Sequence, residues 1–284
     1  MKRMKCATED YSDANLPETR KAVFMQRYKE HFSLILYLGF FVLLFMLPML
    51  LITLARDVYI ITAAAALEEQ TAEAKAGVYY TADAAYGLMQ VFAFTLFSVL
   101  FSGIVQILRQ LLWDEPVFFG DDFKKGLKSN GFRYGVTGVT LAVIYYYSKL
   151  LDGSEVTAAF FGVFPVTILP VAIWMSLYGI YYQLGIFLSI KSAIMLYLKT
   201  FPVTLLLLIC TVTPFWFVLN LMPLLMVKYL LFIALAIFYV VPLTMCWMLY
   251  ASHIFDQYIN EKHYPSMYRK GMKKEAAEDE MRAM

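Results

Sequence analysis

The sequence predicts an all-α integral membrane protein with six transmembrane helices and both termini in the cytoplasm. Three observations carry this. The charged residues leave six uncharged, mostly apolar runs, at 31–55, 84–108, 134–148, 156–190, 200–227 and 229–255, and a bilayer core needs roughly 20 helical residues to cross it. Hydrophobic residues make up 61% of the chain and mean hydropathy is +0.61, against the ~45–50% apolar content of soluble domains. Finally, twenty of the 24 Lys and Arg residues fall in 1–31, 109–133, 191–199 and beyond 256, with only Arg56, Lys75, Lys149 and Lys228 in the alternate loops. Basic short loops stay cytoplasmic. The chain thus divides into a basic leader (1–30), a transmembrane domain (31–255) and a charged tail (256–284).

The first run follows a long basic leader and exceeds the apolar core of about 7–15 residues of a signal peptide, so it reads as a retained anchor. The loop 55–83 is the only sizeable outer segment. It is alanine-rich and acidic, and 62–76 reads as a short helix ended by Gly77. Such a loop is either a solvated lid or a contact for an external partner.

The second run leads into the inner loop 109–133. There Asp121 suits a helix start and Gly131 its end. Phe123 and Leu127 are four apart on one face, Lys124 and Lys128 four apart on another, with Lys125 adjacent. A helix of this pattern lies in the headgroup region, its lysines facing anionic lipid at roughly 1 kcal/mol each. Phe123, Lys124, Lys125, Leu127, Lys128 and Arg133 are therefore the candidate membrane-interface or docking residues. The loop serves either as a topological anchor or as a docking helix for a cytoplasmic partner.

The third run is short, but Arg133 and Lys149 can snorkel, so a helix over 132–151 crosses, with Tyr145, Tyr146 and Tyr147 at an outer aromatic belt. Gly135, Gly138 and Ala142 line one face of it, with Gly131 four residues before Gly135; Ser98 and Ser102 do the same on the second helix. These faces support close packing inside the bundle or a homodimer seam. The fourth run is long enough for two tight spans, but two would put Lys191, Lys199 and the basic tail outside. One span over 167–189 is expected, with 156–166 at the outer interface, re-entrant near Pro165 and Pro170, or part of a long tilted helix. After it, 190–202 forms a second short basic-apolar inner segment. Pro48, Pro170, Pro214 and Pro242 lie in four different spans. Such broken helices can line a solute path, yet prolines are ordinary in membrane helices. The tail reads as a solvated helix or disordered chain, too poor in apolar residues to build a core.

No expected span holds Asp, Glu, Lys or Arg near its middle, which argues against ion-coupled transport and intramembrane catalysis. Gln90, Gln106, Gln183 and Asn220 fit helix–helix hydrogen bonds. His31, His253 and His263 match no metal spacing. Cys6, Cys210 and Cys246 offer no outer pair for a disulfide. The stretch 120–125 lacks the second glycine and the Gly-Lys-Ser/Thr ending of a phosphate loop. The expectation is a non-enzymatic chain without cofactor or metal.

Asn15-Leu16-Pro17 ahead of a basic stretch, Gly103-Ile104 with Ile107-Leu108-Arg109, the run from Asp122-Phe123-Lys124-Lys125 to Asn130, and Lys191-Ser192-Ala193 with Leu198, Lys199 and Pro202 together resemble the YesL-like family of bacterial membrane proteins. The resemblance covers roughly residues 15–255. It implies a six-helix inner-membrane protein associated with carbohydrate import or breakdown, and it supplies no catalytic or binding residue. The outer loop 55–83 is longer than the family pattern. The expected role is an accessory to a carbohydrate-uptake or cell-envelope system, in contact with membrane lipid and a partner such as a transporter subunit. A homo-oligomer is a further option, and nucleic acid is not expected. The alternative is a permease or channel for a neutral or weakly polar solute.

Overall fold

Thr19 opens the first helix by accepting a hydrogen bond from the amide of Ala22 (3.2 Å). Helix α1, Arg20–Glu30, is polar except for a buried side at Val23 and Arg27. The computed structural model describes residues 16–66, 72–150, 155–182, 185–221 and 224–273, which contain helices and turns and no strand. After α1 come α2 (Phe32–Ala65), α3 (Ala72–Leu112), α4 (Phe119–Leu150), α5 (Glu155–Tyr181), α6 (Ile186–Lys199), α7 (Phe201–Leu221), α8 (Leu225–Phe238) and α9 (Val240–Phe255).

Phe32–Ala63 of α2, Ala76–Leu112 of α3 and Phe201–Val218 of α7 are each long and apolar enough to cross a membrane. A fourth span results if the bent pair of α8 and the helix beginning at Val240 is taken as one. Helix α2 is apolar all round: Leu38 and Val42 are wholly buried, while Phe40, Leu44 and Leu51 face outwards and are more than half exposed. A surface of that kind suits hydrocarbon rather than water. The architecture is compatible with a multi-pass membrane protein.

The bent pair turns by 43°. Its cause is local. Pro242 has no N–H to give the carbonyl of Phe238, so the hydrogen-bond ladder breaks at Tyr239, between the two helices. Pro48 and Pro214 lie inside α2 and α7, which run on through them.

The small-residue faces of α3 and α4 pack against each other within one chain. A Cβ added to Gly126 would lie 2.8 Å from the Cα of Gly103 and 2.9 Å from the carbonyl of Ser102, and one on Gly138 would lie 2.6 Å from the side chain of Ser98. Gly131 and Gly135 sit over Val99. Backbones come this close only where side chains are absent.

Four sequence expectations are corrected here. The inner helix does not end at Gly131: α4 runs unbroken from Phe119 to Leu150, because contact with α3 outweighs a glycine penalty of roughly 1 kcal/mol. The helix expected over 62–76 is instead the end of α2 and the start of α3, with Gly77 inside α3; residues 67–71 lie outside the described residues. The helix expected over 167–189 ends at Tyr181 instead, and it begins at Glu155, so that Pro165 and Pro170 lie within one continuous helix. Helix α6 then folds back on α5, where the Tyr197 hydroxyl donates to the carbonyl of Val166.

The fourth correction is the tail. Residues 256–273 dock on the bundle. Met272 is buried, and the amide of Lys273 donates to the carbonyl of Pro17 (3.1 Å). Gly271 makes the fit: its φ is +77°, and a Cβ there would lie 2.5 Å from the carbonyl of Leu112. Gly271→Ala is expected to release the tail while leaving the bundle folded. Trypsin should then cut after Lys270 far faster than in the wild type. Equal cleavage rates would show that the docking does not depend on this glycine.

Candidate functional site

Both ends of the described chain and the α3–α4 turn meet at one pole of the bundle. The turn is made by a Schellman motif: the Glu115 amide donates to the Gln110 carbonyl (2.9 Å) and the Asp114 amide to that of Leu111 (3.3 Å). Asp114 takes the left-handed position (φ 60°) usually given to glycine. Its carboxylate pairs with Arg27 of α1 at 2.8 Å. Arg27, only 3% exposed, also reaches Glu30 at 3.2 Å. A buried guanidinium with two carboxylates on one side fixes α1 across the turn.

Past α9 the helix widens into one π-helical turn, Asp256–Asn260, a local irregularity often found at functional positions. Asp256 is held there by three donors. It accepts from Arg20, from Asn260 Nδ2 at 2.7 Å and from the amide of Arg269 at 3.3 Å. Asn260 in turn accepts from the Tyr182 hydroxyl (2.5 Å). Asp122 is held in the same way, by Gln110 Nε2 (2.7 Å) and the amide of Phe118 (2.6 Å). Each of these carboxylates is held by two or three donors from separate segments and so anchors those segments to one another.

Two cations lie over the Trp113 ring, Arg109 with Cζ 4.8 Å and Lys270 with Nζ 4.2 Å from its centroid. Lys270 also pairs with Glu115 at 2.5 Å. Arg109 donates to the carbonyl of Ile180 (2.7 Å), placing a cation on the C-terminal end of α5, where the helix dipole favours one. Behind this layer Phe255 is wholly buried, with the rings of Trp174, Tyr178, Tyr181 and Tyr182 at 5.1–5.9 Å.

Five of the six candidate interface residues fall together on the first turns of α4. Phe123 is half-buried, stacked on Phe119 at 6.1 Å and tilted against Phe45 at 5.8 Å. Leu127 is half-buried beside it, and Lys124, Lys125 and Lys128 are exposed. The split between an apolar and a basic face follows the expected spacing. Arg133 does not join them: its guanidinium lies over Gly179 of α5, where an added Cβ would come within 2.1 Å. Helix α6 carries its own outward stripe, Phe187 (90% exposed), Leu188, Ile194, Met195 and Leu198, with Lys191 among them. Too short to cross, it has the pattern of an interfacial helix.

Sequence reasoning missed Arg20, Arg27, Asp114, Asp256 and Asn260. A signal was present for two of them, since Asp256 and Asn260 stand four apart just beyond the last apolar run. Among the described residues no group of three or more His, Cys, Asp or Glu is placed to hold a metal ion.

Fold and pole together define a helical chain with three or four apolar helices long enough to span a membrane and a polar, charge-paired end. No protein-family model, curated protein or solved structure matches it.

Proposed function

We propose that this chain is a six-span, non-enzymatic protein of the cell membrane, with both termini in the cytoplasm, that serves as an accessory subunit through its inner pole. The observation that carries the reading is the meeting of α1, the α3–α4 turn and the docked tail at one end, next to the exposed Lys124, Lys125 and Lys128. Segments that share a pole are separated by even numbers of crossings. Helices α4 and α5, and the bent pair counted as one, complete six. The far end agrees with this count, since the Tyr146 hydroxyl of α4 reaches the carbonyl of Ala84 in α3 (3.2 Å). The basic pole takes the cytoplasmic side by the distribution of Lys and Arg. Association with carbohydrate uptake or the cell envelope rests on the resemblance to the YesL-like family alone.

Docking is preferred to permeation on the burial of Trp174, Met245, Met248 and Phe255, each wholly buried in the core of the bundle. Extraction from native membranes in mild detergent is expected to recover a stoichiometric membrane-protein partner. A partner-free homo-oligomer would overturn the accessory role and favour the permease.

Topology has its own test. In a background without Cys6, Cys210 and Cys246, single cysteines at Lys125, Lys191 and Lys274 should label only from the inside and one at Glu69 only from the outside. Labelling of position 191 from outside would overturn the single crossing between α4 and α6, and the six-span count with it.

A further inference from the structure

A cleft of about 870 Å³ opens between α1 and α9 at the inner pole. Its wall on the α9 side is formed by Cys246, Leu249, Tyr250, His253, Asp256 and Gln257. These recur every three or four residues and so form one stripe, about 16 Å long at 1.5 Å per residue. The chemistry along the stripe changes in one direction. At the end nearer the middle of the bent span, Cys246, Leu249 and Tyr250 are apolar or aromatic, as is Phe24 on α1. From His253 onward the lining gains its charges, Arg20, Lys21 and Arg269 against Glu18, Asp256 and Glu261, beside the uncharged Thr19, Gln257, Tyr268 and Met272.

An apolar end pointing into the bundle and a charged end at its pole describe an amphiphile standing parallel to the bilayer lipids. The charges narrow the choice. Three cations and three carboxylates balance, so a purely anionic headgroup gains little, whereas a headgroup carrying both a phosphate and an ammonium finds partners for each. Asp256 is already held by Arg20, Asn260 and the Arg269 amide, so the rim is left to exposed groups such as Lys21 and Glu261. We infer that this cleft binds one zwitterionic phospholipid, whose headgroup carries a phosphate and an ammonium. Its acyl chain lies against Leu249 and Tyr250, its phosphate faces Lys21 and its ammonium faces Glu261. The inference rests on the multi-pass reading but not on the accessory role.

Native mass spectrometry of the full chain in mild detergent, titrated with phosphatidylethanolamine or phosphatidylglycerol, tests it. One phosphatidylethanolamine should be retained in preference to phosphatidylglycerol. Lys21→Glu and Glu261→Lys, both at exposed positions, should each lose that preference, and Cys246→Phe should lose the bound lipid by filling the apolar end. Equal or stronger retention of phosphatidylglycerol would overturn the headgroup assignment, as would stronger lipid retention in Glu261→Lys. Retention that ignores all three substitutions, or none in the wild type, would overturn the site. Either result leaves the topology labelling and the partner recovery to be decided independently.

Discussion

Replacing Gly39 with alanine is expected to destabilise the protein by about 3 kcal/mol or more, at the upper end of overpacking costs. A Cβ at position 39 would lie 2.1 Å from the carbonyl oxygen of Ile237 and 2.9 Å from its carbonyl carbon. Both are backbone atoms, in the last turn of α8 before the bend, so no rotamer change relieves the clash. Either α2 and α8 separate along their contact, or the bend at Tyr239 changes angle. Both outcomes uncover Leu38, Val42 and Ala236, now buried together. Gly77→Ala is the matched control. Nothing lies within 4 Å of a Cβ there, and alanine in a helix interior gains about 1 kcal/mol over glycine. Thermal unfolding in detergent should therefore move in opposite directions for the two variants. If Gly39→Ala melts with the wild type, α2 and α8 do not meet as closely as described.

The contrast between these glycines also marks what the sequence conveys. Apolar length between charges located α2, α3, α7 and the bent pair, because a helix must be long and uncharged to sit in hydrocarbon, and that is a local property. The facing small residues of α3 and α4, and the division of α4 into Phe123 and Leu127 against its lysines, follow from helical period alone. Boundaries set by distant contacts were not legible. Helix α5 ends where Arg109, seventy-one positions away, reaches the carbonyl of Ile180. The tail docks because Gly271 meets the carbonyl of Leu112, and nothing near residue 271 announces it. The pole itself was visible only as an excess of Lys and Arg, since the pairing of Arg27 with Asp114 joins segments separated by two long helices.

The charges at the opposite end were misread for the same reason, and they yield the second large expected effect. Arg56, Asp57, Asp83 and Lys228 read as charges of the outer loops, yet they join α2, α3 and α8. Asp57 accepts from Lys228 at 2.6 Å, from the Tyr229 hydroxyl at 3.2 Å and from Arg56 at 3.2 Å, while Arg56 also bonds Asp83 at 2.6 Å. The four side chains are only 13–23% exposed. Lys228 stands in the first turn of α8, where the helix dipole disfavours a cation, so it depends on Asp57 more than a surface lysine would. Asp57→Ala is expected to cost about 2–3 kcal/mol, below the range for a fully buried pair because water reaches part of this one. Adding Lys228→Met should recover most of that loss, since an apolar replacement of both partners removes the stranded charge. Arg56 keeps Asp83 in either background, so recovery measures the Asp57–Lys228 coupling rather than collapse of the whole cluster. A double variant no more stable than Asp57→Ala would mean that Lys228 finds water when its partner is gone, and that packing alone holds α8 against α2.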